Sequence, residues 1–480
     1  MNLINNKIDK RKTFLFIVLV FSLFTSVYGL IKPLPNDISV NGPYHRVSDV
    51  EFLYDLTYEK NGDLVQEQEI FERVFRLIDE AEQYIVVDMF LFNDEYERKT
   101  EGEGRYPEIS EQLTKKLIAK KKASPEMEIT FITDPINTFY SSYESQFVQK
   151  LEDNGINVIY TNLSALRDSN PLYSGFWRAY LQWMDPWGNG YLPNPFSPDS
   201  PDVSLVSYLK LVNFKANHRK VVLTEKQALV TSANPHDASG RHSNIAFVVE
   251  GNLLADIYQS EKAVSDFSDG SLETKSFAKQ PETGAIKAKL ITEGAIRDEI
   301  LASLDRMKAG DEVFVGAFYL SDRKVIKKLV EAAERDVLIK LVLDPNKDAF
   351  GRTKNGIPTR PVASELIAKG AGNIAVRWYN THGEQFHTKM MLFKGEEETE
   401  IIGGSANYTK RNIGDFNLET DVKLVVPTGH RLEKDVSSYF ERIWTNEGGS
   451  YTADYAAYED NSIWKKVIYR VQEYTGWSTF

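Results

Sequence analysis

Residues 386–419, FHTKMMLFKGEEETEIIGGSANYTKRNIGDFNLE, gather the side-chain types that hold and split a phosphate ester. His387 and Lys389 are two apart, and strand alternation points both to one face. An imidazole and an ammonium can then reach one small anion. After the polar turn Lys394 to Glu400, the short strand Ile401-Ile402 runs into Gly403-Gly404-Ser405-Ala406-Asn407. These small residues let backbone amides and the Asn407 side chain come close to a ligand. Glu419, in Asn417-Leu418-Glu419, is placed to hold the far nitrogen of His387. The set makes a site for a phosphoryl group.

A second copy lies in residues 217–246, NHRKVVLTEKQALVTSANPHDASGRHSNIA. His218 and Lys220 repeat the His-x-Lys spacing, and Ser232-Ala233-Asn234 repeats Ser405-Ala406-Asn407. Asn244 then falls where Asn417 falls, and Ala246 falls where Glu419 does. A lone His-x-Lys triplet is weak, but two copies at nearly equal distance from Ser-Ala-Asn are not accidental. Asp134 and Asp344 each precede a proline at a strand end, a turn position that favours Asp. We read them as turn residues rather than a metal pair. His236, His242 and His382 have no metal-cluster spacing, and Glu384 and Gln385 are better placed to shape the site.

The paired pattern resembles the phospholipase D superfamily, whose members carry two His-x-Lys-x4-Asp motifs, each followed by Gly-Ser-x-Asn. The likeness covers most of residues 45–445. It implies that one histidine attacks phosphorus to give a phosphohistidine while the other protonates the departing alcohol, without metal or cofactor. The catalytic set carried over is His218, Lys220, Asn234, His387, Lys389, Asn407 and Glu419. Ser232, Ser405, Gly404, Asn244 and Asn417 are expected to line the phosphate. The chain departs from the pattern at the Asp position, which is Glu225 and then Lys394, and at Thr231, which replaces the Gly before Ser232. The attacking histidine stays open, because resemblance favours His218 and the nearby Glu419 favours His387.

The elements that must position these groups repeat as well. The apolar strand Tyr84 to Phe92, a helix over Ile109 to Lys122 and a strand ending at Asp134-Pro135 are matched by Val313 to Leu320, Val325 to Arg335 and Leu338 to Leu343 before Asp344-Pro345. Such alternation implies crossover connections and parallel strands. The expectation is an α/β, duplicated phospholipase D-like fold with two pseudo-twofold-related βα-repeating halves. Each half has a mixed, mostly parallel sheet, and the two share one active site. We divide the chain into 1–30, 31–275 with an aromatic insertion at 164–210, and 276–480 with a helical C-terminal tail. Residues 32–48 read as a linker.

Composition bounds the partners. The net charge is −12, and the first thirty residues set Lys7, Lys10, Arg11 and Lys12 against Asp9, so the body is more acidic than the whole. Such a surface argues against a nucleic-acid partner. Cysteine is absent, which excludes disulfides and thiolate chemistry. The basic Lys10-Arg11-Lys12 before the apolar run Phe14 to Phe24 reads as a cleaved signal or a retained single-span anchor, and so as export. The insertion holds Phe176, Trp177, Tyr180, Trp183, Trp187, Tyr191 and Phe196, rings that suit a membrane interface or a cover over the sheet. The expected activity is a phospholipase D-type phosphodiesterase on phospholipids at a membrane surface. A cardiolipin synthase-like transferase, an extracellular nuclease and a non-catalytic homologue are the alternatives. Oligomeric state is left open.

Overall fold

A computed structural model describes residues 10–96, 106–185, 190–349, 352–478 and 480. Trp187, Lys7 and Asp9 lie outside the described residues. The first half carries β1 (His45–Val47), β2 (Glu51–Lys60), β3 (Asp63–Glu67), β4 (Tyr84–Met89), β5 (Glu128–Thr133), β6 (Asn157–Tyr160), β7 (Lys220–Thr224), β8 (Ala228–Thr231) and β9 (Asn244–Val249). The second carries β10 (Ile286–Thr292), β11 (Glu312–Ala317), β12 (Leu338–Leu343), a small ribbon of β13 (Asp348–Ala349) and β14 (Arg352–Thr353), then β15 (Ile374–Tyr379), β16 (Lys389–Lys394), β17 (Glu398–Gly404), β18 (Thr420–Pro427) and β19 (Thr452–Asp454).

Two sheets result, in the orders β3-β2-β9-β8-β7-β4-β5-β6 and β1-β10-β18-β17-β16-β11-β12-β15-β19. The expected duplication is there, but the sheets are not mostly parallel. Only β4-β5-β6 and β11-β12-β15 run parallel. The reason lies in the connections: helices 109–123 and 323–333 are crossovers between parallel strands, whereas the His-x-Lys strands turn back through short polar turns. β7 therefore pairs antiparallel with β4 and then β8, as β16 does with β11 and then β17. The register sets Lys220 opposite Met89 and Lys389 opposite Ala317. Both lysines thus start their strands at the carboxyl ends of the central parallel ones, where open α/β sheets bind ligands.

The halves interlock. Residues 32–48 are not a free linker: Gly42 N donates to Leu290 O at 2.9 Å, and β1 extends the second sheet along β10. The 31–275 boundary is corrected accordingly, since this segment is the second sheet's edge strand. In return Arg442, on the closing helix Arg431–Thr445, grips Glu67 of the β2-β3 hairpin at 2.7 Å. One apolar core joins the sheets through Val221, Phe247, Leu290, Leu392 and Leu424.

The N-terminal helix Lys10–Ile31 has 22 residues, enough at 1.5 Å per residue to cross a hydrocarbon layer of about 30 Å. Its apolar side chains from Phe14 to Phe24 are mostly exposed, but its second half is held by the insertion. Thr25 Oγ1 donates to Gly175 O at 2.8 Å, Tyr180 OH donates to Val18 O at 3.0 Å, and Phe21 meets the Tyr180 ring at 6.1 Å. Phe176 and Tyr180 therefore pack towards this helix rather than over the sheet, while Trp183 and Tyr191 are exposed.

Candidate active site

Each site histidine is fixed first through its backbone. Asp134, at the end of β5, accepts from Ile136 N as a turn cap and from Asn217 N at 2.7 Å. Asp344, at the end of β12, accepts from Asn346 N and from Phe386 N at 2.8 Å. The two aspartates are turn residues as read, and each also pins the peptide just before a site histidine. His218 N then donates to Leu418 O at 2.9 Å and His387 N to Ser243 O at 2.8 Å. Both hydrogen bonds cross from one half to the other.

The side-chain partners cross too. His218 Nδ1 pairs with Glu419 at 2.9 Å, and His387 Nδ1 meets Asn244 Oδ1 at 3.1 Å. Glu419 thus backs His218, not His387. The inter-half strand contacts Asn217–Leu418 and Ser243–Phe386 bring each segment to the opposite histidine. Ser405 N donates to Thr420 O and Ser232 N to Ile245 O, so Ile245 corresponds to Thr420 and Asn244 to Glu419. Ala246 is not the emptied carboxylate position. The first loop is two residues shorter, and position-by-position comparison therefore slips by two. Asn417 and His242 are the true counterparts. Asn417 Oδ1 accepts from Ala216 N at 3.1 Å, and His242 Nδ1 accepts from Gln385 N at 3.2 Å.

The groups expected to line the phosphate serve instead as supports. Ser405 Oγ donates to Glu419 and Ser232 Oγ to Asn244 Oδ1. Asn244 Nδ2 donates to His242 O, which turns Oδ1 towards His387, so His387 donates its Nδ1 proton. Gly404 is required by space, since a Cβ there would lie 2.3 Å from Thr420 O. Thr231 replaces it without loss. Thr231 Oγ1 accepts from Ala233 N at 3.0 Å, the service that Asp421 performs for Ala406 N at 3.1 Å. Asn234 Oδ1 accepts from Leu91 N at 3.4 Å. Asn407 Oδ1 is buried with no partner among the described residues and remains the best placed amide to meet a ligand.

Lys220 and Lys389 are fully buried, and each donates to the carbonyl of its own histidine, at 2.8 and 2.7 Å. Burial lowers Lys220 to about 7, and burial and then Lys220 hold Lys389 well below the ordinary lysine range. Burial followed by Lys220, Lys389 and Arg411 keeps His218 far below the usual imidazole value, and burial followed by Lys389 does the same to His387. Burial pushes Glu419 up to about 8. A closed nest of cationic groups drives its own members neutral; an anion among them would let them hold their protons.

Residues not singled out from sequence complete the site. Phe90 lies 4.8 Å from the His218 ring and Phe318 5.2 Å from the His387 ring, in matching positions one residue past β4 and β11. The strand repeat contained that signal. Arg411 is half-buried and donates to Ser478 O at 2.8 Å. Arg219, 0% exposed, lies under His218 between Glu293 at 2.8 Å and Glu261 at 3.3 Å, and Glu293 also accepts from Glu419 N.

Other candidates fall away from the chemistry. Glu225 caps the turn before β4 through Glu82 N, and Lys394 pairs with Glu433 at 3.1 Å, so the missing Asp positions are structural in both halves. His236 holds Ser239, and Glu384 accepts from His382 N. A cavity of about 490 Å³, lined by Thr138, Tyr143, Tyr160, Asn162 and Lys210, contains none of the paired histidines and lysines.

Residues 304–444 match a family model described as cardiolipin synthase, PLD-like domain. Among solved structures, phosphatidylserine synthase from Haemophilus influenzae Rd KW20 is similar at TM-score 0.57 and 10% identity, over 91% of this chain and 96% of that one. Polyphosphate kinase from Porphyromonas gingivalis follows at TM-score 0.42 and 12% identity, over 90% and 54%. The phospholipase D family member Nuc from Salmonella typhimurium gives 0.26 and 18%, over 34% and 97%. No curated protein sequence matches. The second half of the chain thus carries a match to a PLD-like domain, and the chain as a whole shares the fold of that phosphatidylserine synthase.

Proposed function

We propose that the protein is a membrane-anchored phosphodiesterase acting on phospholipids through a phosphohistidine at His218. The observation that carries the reading is the crossed pairing, with a carboxylate behind His218 and an amide behind His387. An imidazole phosphorylated on Nε2 becomes cationic, and Glu419 at Nδ1 stabilises that charge. Attack by His218 Nε2 forms the phosphorus–nitrogen bond and breaks the bond to the headgroup oxygen, which takes a proton from His387. His387 then removes a proton from the incoming water or alcohol, whose oxygen displaces His218. Lys220, Lys389 and Asn407 are suited to hold the non-bridging oxygens throughout.

The grip of the insertion on the N-terminal helix supports a retained anchor over a cleaved signal, because Thr25, Ser26 and Gly29 are buried in that contact. The basic Lys10-Arg11-Lys12 before the span supports an extracytoplasmic body. Phosphatidyl transfer to an alcohol is a second reading, favoured by the cardiolipin synthase description of residues 304–444. The deciding experiment incubates the full chain in chelator with labelled phospholipids, with and without glycerol, and with DNA in parallel. Phosphatidic acid release supports hydrolysis and phosphatidylglycerol formation supports transfer. DNA cleavage without lipid turnover, or lipid turnover that survives in both His218→Ala and His387→Ala, would overturn the proposal.

A further inference from the structure

The C-terminal helix Ile463–Thr475 is built inside out. Its outward face carries Ile463, Trp464, Val467, Ile468, Val471 and Tyr474, with Trp464 77% and Tyr474 83% exposed. At 100° per residue these positions form one stripe about 140° wide. The inward face is polar. Tyr469 OH meets Glu365 at 3.0 Å, and Glu473 accepts from Ser321 Oγ at 2.8 Å and Lys410 N at 2.7 Å. Hydrophobic burial cannot explain a helix that hides its carboxylate and exposes its tryptophan. An apolar partner on the outside can.

We infer that this stripe lies in the surface of a bilayer, beside the N-terminal helix, as a second and interfacial contact with lipid. Three observations favour lipid over another protein. Lys465, ion-paired to Asp460 at 2.5 Å, and Arg470, ion-paired to Glu365 at 3.0 Å, stand at the two edges of the stripe, with Lys466 beside Arg470, while Glu473, the one acid of the helix, is turned inward, so the stripe is flanked by basic side chains and the helix turns no carboxylate outward. That is the arrangement that draws a helix to anionic headgroups, with long cationic side chains reaching up from an apolar base. Aromatic rings suit the same depth. The stripe is also continuous with the anchor. Beyond the left-handed helix end at Gly476, Trp477 packs against Tyr173 at 6.1 Å and Phe214 at 6.2 Å. Tyr173 belongs to the insertion helix Pro171–Phe176, which holds the N-terminal helix. Exposed Leu172, Phe176 and Trp183 lie on that insertion.

A bilayer contact here bears on the site as well. Phe480 lies against Tyr319 at 6.0 Å, Tyr319 meets Phe318 in a tilted contact at 4.0 Å, and Phe318 packs 5.2 Å from the His387 ring. The docked helix therefore brings the bilayer surface to the rim of the candidate active site.

The inference rests on the N-terminal helix being a retained anchor, and the test separates the two. Because the chain has no cysteine, single variants Val467→Cys, Val471→Cys and, as an exposed control, Lys327→Cys can each carry one nitroxide. Each full-length chain is placed one copy per nanodisc of phosphatidylethanolamine and phosphatidylglycerol. Labels at 467 and 471 are expected to lose most of their collisions with an aqueous relaxation agent and gain collisions with oxygen, while that at 327 stays in water. Equal aqueous access at all three positions would overturn the inference. So would shielding that appears only with two copies per disc, which would assign the stripe to a second copy of the chain. A chain that fails to enter discs defeats the anchor reading alone; the same labels are then read on phosphatidylglycerol vesicles, where unshielded positions 467 and 471 overturn the interfacial contact.

Discussion

The ground beneath His218 and the ground beneath His387 are built from different material on one backbone plan. Under His218 lie charges: Asn217 Nδ2 donates to Asp88 at 2.8 Å, and Arg219 is clamped by Glu261 and Glu293. At the same places beside His387 stand Gly316, Phe386 and Thr388. Phe386 stacks on Tyr379 at 4.5 Å, and Thr388 Oγ1 bonds Tyr439 OH at 3.0 Å. Duplication conserved the geometry of the backbone and the crossing of each partner, while the support diverged. A carboxylate held by a rigid charged lattice suits a histidine that must bear lasting positive charge. A neutral amide on an aromatic bed suits one that gives its proton away.

The sharpest way to break this division of labour is to remove each ring. His218→Ala and His387→Ala are each expected to lower kcat/KM on a natural phospholipid by about 10³-fold or more. A diester with a nitrophenolate leaving group, which needs no acid, should restore the first-turnover nitrophenolate burst in His387→Ala alone, the second step still lacking its base. Equal rescue of both would erase the assignment.

The supports should fail unequally next. Arg219→Leu leaves Glu261 and Glu293 buried without their cation and is expected to cost about 3–5 kcal/mol in urea unfolding. Thr388→Val, its counterpart, removes one neutral hydrogen bond and should cost about 1 kcal/mol. Similar costs would show that the charged lattice has no special weight.

Exchanging the partners sharpens the contrast. Glu419→Gln keeps a hydrogen bond to His218 but loses its charge, worth about 1.5–3 kcal/mol and so roughly a 10- to 100-fold slower phosphohistidine formation in rapid quench. Asn244→Asp puts a charge behind His387, and the alkaline limb of its kcat–pH profile should move upward as the acid holds its proton longer.

The smallest effect should be the same in both halves. Burial raises Asp134 and Asp344 each to about 7. The native state then binds more protons than the unfolded chain between about pH 4 and 7, so the stability these groups contribute is full below that window and lost as pH rises through it. Asp134→Asn and Asp344→Asn, which imitate the protonated acid, should each flatten the fall of Tm across the window by a few degrees. A marked difference between them would show that the two backbone pins are not equivalent.

Much of this was legible before any coordinates. The strand Leu338–Leu343 matches the sequence reading residue for residue, because a continuous apolar run after an amphipathic helix admits few other readings. The hairpin of β2 and β3 and the edge strand β1 were missed. β1 and β2 pair with residues some 190 to 240 positions away, which local pattern does not encode, whereas β3 pairs with β2 across Asn61-Gly62, a local turn signal that the reading passed over. The dominance of antiparallel pairs was missed for a related reason: helical crossovers announce themselves by length and period, whereas a polar three-residue turn does not announce which strand it returns to. At the site, the histidines, lysines and asparagines were all named. The supporting roles of Ser232, Ser405, Gly404 and Asn417 were not.

The chain's order of residues determined which reactive groups exist, that they come in two sets, and that each set lies in one of two βα-repeating halves. Only the folded molecule decided who stands behind whom. A hydrogen bond acts over about 3 Å, and the carboxylate within that reach of His218 arrives from 201 residues along the chain, carried there by the packing of one half against the other.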